Sequence, residues 1–143
     1  MKRHEKNPLE NMKHVYTSII PIRWGDMDAM GHVNNTVYFR YLEQARIEWY
    51  AFIGREKNAG METVVVHAHC SFMVSLTYPG EVEVRTYAGL PGRSSFEIVQ
   101  EIRRTDDPDV LCALGGARVV WVDRHTGKSA PLPDRVRQLI TTV

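Results

Sequence analysis

A single long amphipathic segment, lying between residue 35 and Gly54, constrains the fold of this chain more than any other feature. Its apolar side chains recur at steps of three and four residues, the spacing of one face of an α-helix. Asn34 or Asn35 can cap its start, and Gly54 can end it in a left-handed conformation. The apolar face is wide and aromatic, which favours a helix packed against a sheet. Its members are Tyr38, Tyr41, Leu42, Ala45, Trp49, Phe52 and Ile53.

The rest of the chain has the alternation that is typical of β-strands. Short turns separate the last four segments, so they are predicted to pair antiparallel in hairpin succession. A second, short helix is expected at the end of the chain, over Asp134 to Ile140. We therefore predict an α+β fold, a five-stranded antiparallel sheet packed against one long helix. The predicted strands cover residues 14–24, 62–78, 82–90, 94–104 and 110–122.

Two of these strands carry unusual patterns. In the strand over residues 62–78, apolar residues at every second position from Val64 to Leu76 are predicted to share one face. The opposite face then carries His67, His69, Ser71 and Met73, which suggests partial cover by another subunit. In the last strand, Gly115-Gly116 indicates a bulge or a close approach of another backbone.

Length and charge exclude several classes of protein. A chain of 143 residues is enough for one domain, assigned here to residues 13–143 after a loose arm over residues 1–12. The formal net charge of +1 provides no whole-chain attraction for nucleic acid or an anionic membrane. No apolar run reaches the roughly 20 residues that span a bilayer. The charged N-terminus leads into no apolar segment, so the cytoplasm is the expected compartment, with Cys70 and Cys112 as reduced, buried thiols.

The segment with the most chemistry is the loop over residues 24–35, Trp24-Gly25-Asp26-Met27-Asp28-Ala29-Met30-Gly31-His32-Val33-Asn34-Asn35. Its two carboxylates precede a helix start, where free backbone N–H groups can hold a developing oxyanion. A carboxylate at this place can attack a carbonyl or activate water. Considered alone, paired aspartates before a helix are also typical of turns and helix caps.

This loop, with the following Tyr38-Phe39-Arg40-Tyr41-Leu42-Glu43-Gln44-Ala45-Arg46, resembles the hotdog-fold thioesterases of the 4-hydroxybenzoyl-CoA thioesterase type. The similarity is greatest to the bacterial acyl-CoA thioesterase branch. Residues 92–96 and 122–134 resemble later segments of that family. The resemblance implies a single hotdog domain, in which the sheet wraps around the long helix.

The resemblance also implies roles for individual residues. The second aspartate of the loop motif falls on Asp28, which makes it the catalytic carboxylate, and the backbone amide near Asn35 becomes the oxyanion donor. Asp26 is better interpreted as structural, through hydrogen bonds from loop amides. The residues expected to shape or bind the substrate site are Gly31, His32, Thr63, Arg93, Ser94 and Ser95, the last three facing coenzyme A.

The implied activity is hydrolysis of an acyl-CoA thioester without a cofactor, in a homodimer or homotetramer. Direct attack by Asp28 and deprotonation of water stay open as mechanisms. Glu43 on the helix is a rival carboxylate, because another hotdog branch uses one there. A hotdog dehydratase or hydratase and a non-catalytic acyl-CoA-binding subunit are the alternative functions. No metal site is expected, since His67 and His69 lack a convincing third ligand.

Overall fold

The computed structural model describes residues 7–54 and 61–141. Two helices, α1 and α2, and five strands make up its regular structure, with a 3₁₀ turn at Trp24–Asp26 between β1 and α1. The strands are β1 Met12–Pro21, β2 Met61–Phe72, β3 Glu81–Gly89, β4 Ser95–Arg104 and β5 Ala113–Asp123, and the helices are α1 Asn35–Ile53 and α2 Asp134–Ile140.

The strands form one sheet in the order β1-β3-β4-β5-β2, and every neighbouring pair is antiparallel. The predicted five-stranded sheet with one long helix is therefore confirmed. The predicted hairpin between β2 and β3 is wrong, because β2 pairs with β5 at the far edge of the sheet. The strand ends at Phe72 rather than at residue 78, and the chain then crosses back to β3.

The crossing segment has specific anchors that explain its path. The amides of Met73 and Val74 donate to the carbonyl of Cys112 at 2.9 and 3.0 Å. The Leu76 amide donates to the buried Tyr38 hydroxyl at 3.1 Å, and the Leu76 carbonyl accepts from Val33 at 2.8 Å. Residues 73–76 therefore lie beside the start of α1, and the loop that precedes α1 is held against them.

A β-bulge changes the expected face pattern of β2. The β2–β5 register shifts between Val65 and His67, so that Val64 lies opposite Val120 whereas Ala68 lies opposite Ala117. Adjacent positions on β5 face opposite sides of the sheet. The prediction that Val64 and Val66 share a face with Ala68 and the later apolar residues is therefore wrong, because the extra residue of a bulge reverses the alternation.

Helix α1 matches its prediction closely. The Asn34 side chain caps it by accepting from the Thr36 amide at 2.9 Å, and Gly54 ends it with a φ of 76°. Of the predicted apolar face, only Phe52 is exposed, and its ring stacks on Tyr16 with centroids 5.2 Å apart. The other six members are buried against the sheet.

Gly115 and Gly116 lie in regular strand rather than in a bulge. The β4–β5 register runs without interruption through both residues. The neighbours that approach them are side chains, Leu42 of α1 at Gly115 and His69 of β2 at Gly116. The predicted bulge or backbone approach is therefore wrong, and the absence of side chains at these positions makes room for Leu42 and His69.

Residues 1–6 of the predicted arm lie outside the described residues, and β1 begins at Met12, so the looseness of the arm stays a prediction. Both cysteines are free thiols, as predicted, but only Cys112 is buried as expected, whereas Cys70 is half-buried. No helix within residues 7–54 and 61–141 is long and apolar enough to cross a membrane.

Candidate active site

The loop between β1 and α1 folds back on itself around Asp28. The Asp28 amide donates to the His32 carbonyl at 2.8 Å, and the Gly31 amide donates to the Asp28 carbonyl at 3.1 Å. Gly31 has a φ of 83°, a conformation that favours glycine and permits this turn. Met27 and Val33 close the base of the loop as an isolated antiparallel bridge.

The two carboxylate oxygens of Asp28 differ. Oδ1 accepts from the amide of Met30 at 2.9 Å and, more weakly, from the amide of His32 at 3.4 Å. Within residues 7–54 and 61–141, no hydrogen bond reaches Oδ2. One oxygen therefore anchors the half-buried side chain, while the other is free to react.

The first turn of α1 leaves one backbone amide without an acceptor. The Thr36 amide is used by the Asn34 side chain, and the Val37 amide donates to the Asn34 carbonyl at 2.9 Å. The amide of Asn35 has no acceptor among the described residues. It lies at the positive end of the helix dipole, where an added anionic oxygen is stabilised.

Asp28 and Asn35 line the same cleft, an open space of about 290 Å³ at the start of α1. His32 also lines it, so the structure brings three of the predicted site residues together, with Gly31 forming the turn beside them. The rest of the wall is mostly apolar and comes from the loop, α1 and the crossing segment. It consists of Met30, Val33, Tyr38, Phe72, Met73, Val74 and Ser75.

The other predicted site residues lie at the opposite end of the sheet. Thr63 pairs with Trp121 near the start of β2, whereas Phe72 of the cleft pairs with Ala113. Nine residues of strand separate Thr63 from Phe72, a distance of about 30 Å. Arg93 and Ser94 lie in the β3–β4 turn and Ser95 begins β4, at the same end of the sheet as Thr63. A single chain therefore does not bring these four residues to Asp28.

Sequence reasoning missed two arginines that join the β3–β4 turn. Arg118 approaches the Ser95 hydroxyl at 3.5 Å, and Arg137 of α2 donates to the carbonyl of Gly92 at 2.8 Å. Arg118 and Arg137 therefore bring two guanidinium groups to the turn that contains Arg93. The sequence carries no signal for this grouping, because the three residues come from a turn, a strand and the terminal helix.

The rival carboxylate Glu43 lies in a different space. It lines a groove of about 870 Å³ between β1 and α1, together with Asp26 and Tyr41, and this groove does not include Asp28. Glu43 is exposed and forms an ion pair with Arg40 at 3.2 Å. Asp26 accepts from the Arg23 amide at 2.9 Å and from the Tyr41 hydroxyl at 2.7 Å. These contacts fit the structural role expected for Asp26.

The two histidines of β2 and the two cysteines are not among the residues that line the cleft holding Asp28. The rings of His67 and His69 are exposed on β2 with centroids 5.6 Å apart. Among residues 7–54 and 61–141, no group of three or more His, Cys, Asp or Glu side chains is arranged to hold a metal ion. Burial raises the pKa of the Cys70 thiol to about 11 and also raises that of Cys112, so both thiols are protonated at neutral pH.

The fold and the loop agree with a family match. Residues 22–140 match the thioesterase-like superfamily, which covers most of the chain, and the chain belongs to this family. The predicted thioester hydrolase with the hotdog fold is thereby confirmed at the level of the family.

Individual relatives of this chain also carry thioesterase or esterase names. The "putative thioesterase" of Pseudomonas aeruginosa is 38% identical, covers 89% of this chain and 97% of its own, and superposes with a TM-score of 0.82. The "putative acyl-CoA thioesterase" of Xanthomonas campestris is also 38% identical, over 82% of this chain and all of that one, with a TM-score of 0.69. A "putative esterase" of Aquifex aeolicus (strain VF5) is 33% identical over 83% of this chain and 92% of its own length.

Proposed function

We propose that this chain hydrolyses acyl-coenzyme A thioesters, with Asp28 as the reacting carboxylate and the Asn35 amide as the oxyanion donor. One observation carries the proposal. The cleft at the start of α1 holds a carboxylate with one unbonded oxygen and a helical amide without an acceptor. A thioester carbonyl placed between them meets a negative group at its carbon and a positive dipole at its oxygen.

Asp28 can act in this geometry by either of two routes, as a nucleophile or as a general base. In the first, an Asp28 oxygen attacks the carbonyl carbon, the C–S bond breaks, and the CoA thiolate departs. The acyl group is then joined to Asp28 as a mixed anhydride, which water hydrolyses. In the second, Asp28 takes a proton from water, hydroxide adds to the carbonyl, and the proton passes to the departing thiolate. Both routes use the Asn35 amide in the same way, because each develops negative charge on the carbonyl oxygen.

The second end of the substrate site is supplied, in this proposal, by another copy of the chain. Strand β2 is an edge strand with one neighbour, and its consecutive residues Val64, Val65 and Val66 are exposed. Antiparallel pairing of two β2 edges about a twofold axis extends the sheet and buries these residues. It also brings the start of the partner's β2 beside Phe72, and with it the partner's Thr63.

The same pairing gives roles to the basic residues of the β3–β4 turn. This turn is two strands away from β2, a lateral distance of about 10 Å. Its guanidinium groups and serine hydroxyls then lie within reach of the extended phosphate-bearing part of coenzyme A. Arg93, Ser94 and Ser95 bind this part of the substrate, and Arg137 holds the turn in place through the carbonyl of Gly92.

The lining of the cleft favours an uncharged acyl group. Beyond Asp28 and His32, its side chains carry no charge, and Tyr38 meets Phe72 edge-on with centroids 4.9 Å apart. A dicarboxylic acyl group would bring a second negative charge next to Asp28, and no lysine or arginine lines the cleft to compensate it. The preferred substrates are therefore acyl-CoAs with uncharged acyl groups. The cytoplasm is the compartment proposed for this activity.

Incubation with a panel of acyl-CoAs, with detection of the free thiol, tests the proposal. We expect release of CoA by the wild-type protein and a fall in kcat of at least about a hundredfold in Asp28→Asn. Asparagine keeps the size of the side chain and an oxygen for the Met30 amide, so the melting temperature should change little. Substrate binding without turnover would favour the non-catalytic acyl-CoA-binding subunit. Hydration or dehydration of the acyl chain without thiol release would favour the hotdog dehydratase or hydratase.

A further inference from the structure

A hydrogen bond between two side chains joins helix α1 to the loop that holds Asp28. The Tyr41 hydroxyl donates to Oδ2 of Asp26 at 2.7 Å, and the Arg23 amide donates to the same oxygen at 2.9 Å. The carbonyl of Asp26 accepts from the amide of Asn34 at 3.0 Å. Asp26 therefore connects the start of the loop to the second turn of α1 and to the residue that caps the helix.

Tyr41 lies outside the cleft in which the reaction is proposed. Its side chain is buried and lines the groove between β1 and α1, whereas Asp28 and Asn35 line the cleft at the start of the helix. Burial, with the hydrogen bond to Asp26 as the second cause, raises the pKa of Tyr41 well above its usual range. The hydroxyl thus stays protonated at neutral pH and continues to donate to Asp26.

We propose that Tyr41 is a positioning residue, whose hydroxyl acts through Asp26 to fix the Asp28 carboxylate at its working distance from the Asn35 amide. The inference rests on the proposed function. Asp26 is only two residues from Asp28, and the hydrogen bonds of Asp28 itself stay inside the loop, to Met30, Gly31 and His32. Asp26 is therefore the side chain of the loop that bonds directly to a side chain of α1, in addition to the link through Val33, Leu76 and Tyr38 at the far end of the loop.

The consequence for catalysis follows from the geometry of a two-sided site. The carboxylate and the amide must reach one carbonyl group from different parts of the chain. A displacement of about 1 Å in such an arrangement can cost about a hundredfold in rate. Substrate binding depends on the wider cleft and changes less. Loss of the Tyr41 hydroxyl is therefore expected to lower kcat and to leave KM nearly unchanged.

Tyr41→Phe tests the inference, because it removes the hydroxyl and keeps the buried ring. Steady-state hydrolysis of a good acyl-CoA substrate should show kcat reduced by at least about tenfold, with KM within about twofold of the wild type. Tyr87→Phe is the matched control, since the Tyr87 hydroxyl also donates to a carboxylate, that of Glu101 at 3.3 Å, far from the loop. We expect this control to keep both constants.

A double-mutant cycle with Asp26→Ala, which removes the acceptor of the Tyr41 hydroxyl, separates positioning through Asp26 from any independent effect. If Tyr41 acts through Asp26, Tyr41→Phe combined with Asp26→Ala should be no slower than the slower single variant. Multiplicative losses in the combined variant would overturn the inference. An unchanged kcat in Tyr41→Phe, measured beside a strongly reduced kcat in Asp28→Asn, would overturn it too.

Amide hydrogen exchange gives a readout that needs no turnover. The amides of Arg23 and Asn34 donate to Asp26, and they should exchange faster in Tyr41→Phe than in the wild type or in Tyr87→Phe. Failure of the wild type to hydrolyse any acyl-CoA would refute the proposed function, and the exchange rates would still report on the loop. Equal exchange in all three proteins would overturn the positioning role.

Discussion

Leu42 of α1 packs directly onto the main chain of Gly115 in β5. A Cβ atom on Gly115 would lie 2.5 Å from Cδ1 and 3.2 Å from Cδ2 of Leu42, which is 4% exposed. The first distance is shorter than a carbon–carbon contact allows. The helix can therefore approach the sheet this closely only because residue 115 lacks a side chain.

The first prediction concerns this contact. Gly115→Ala should destabilise the protein by about 1–3 kcal/mol, because a buried methyl group must displace Leu42 or α1. Gly116→Ala is the control. Its Cβ would lie 2.4 Å from Nε2 of His69, but His69 is exposed and its ring can swing into solvent. Urea unfolding should give the larger loss for Gly115→Ala, and equal losses would contradict the packing argument.

The second prediction separates the two candidate carboxylates. Glu43→Gln should keep kcat within about threefold of the wild type, because removal of an exposed ion pair such as Arg40–Glu43 has a small effect. Asp28→Asn, measured in the same thiol-release assay, should lose at least about a hundredfold. An inactive Glu43→Gln beside a near-normal Asp28→Asn would move the reacting carboxylate to the helix.

The third prediction concerns assembly through β2. Val66 is 57% exposed at the bulge, and Val66→Lys should place a charge in the proposed dimer interface. We expect light scattering at micromolar concentration to show a dimer for the wild type and a monomer with little activity for the variant. Ile19→Lys, at a 48% exposed position on the opposite edge strand β1, should keep the mass and activity of the wild type. A fully active wild-type monomer would refute the shared site.

The fourth prediction concerns metal removal. A carboxylate and a backbone amide suffice for the proposed reaction, so thiol release should survive treatment with EDTA and extensive dialysis. The measurement is kcat before and after chelation, followed by addition of zinc. Activity that disappears with EDTA and returns with zinc would contradict a metal-free mechanism and direct attention to His67 and His69, whose rings lie 5.6 Å apart.

The fifth prediction is a pH dependence of stability at the end of β5. Hydrogen bonds from the amides of Thr126 and His125 hold the pKa of Asp123 below its usual range. The stabilisation is therefore complete above the unfolded pKa of about 3.9 and is lost as the pH falls through the lower, folded value. Thermal melting from pH 2 to 7 should show a shallower acid loss in Asp123→Asn than in the wild type. An identical loss of melting temperature at acid pH in the two proteins would contradict this prediction.

Local signals made α1 and its loop predictable from the sequence. The caps at Asn34 and Gly54 and the three-to-four spacing between them depend on neighbouring residues only. The loop residues Asp28 and His32 come together with Asn35 for the same reason, because all three lie within one short segment. Their placement required no knowledge of the sheet.

The sequence predicted the antiparallel β3–β4 and β4–β5 pairs correctly, but it did not predict the place of β2 in the sheet. The turn at residues 78–81 has the composition of a hairpin, but the anchors of the preceding segment are Tyr38, Cys112 and Val33, all remote in sequence. The bulge at Val66 likewise inserts one residue into an otherwise regular alternation. The distance of Thr63 and Arg93 from Asp28 follows from strand direction in the sheet, which a linear pattern does not contain.

The placement of Asp28 and Arg93 at opposite ends of one chain has a genetic consequence. If each site takes Asp28 from one protomer and the β3–β4 turn from the other, the two lesions complement each other. In a mixed dimer of Asp28→Asn and Arg93→Glu chains, one site carries both defects and the other carries neither. Two alleles that are each impaired alone would then restore up to half of the normal activity when they are co-expressed.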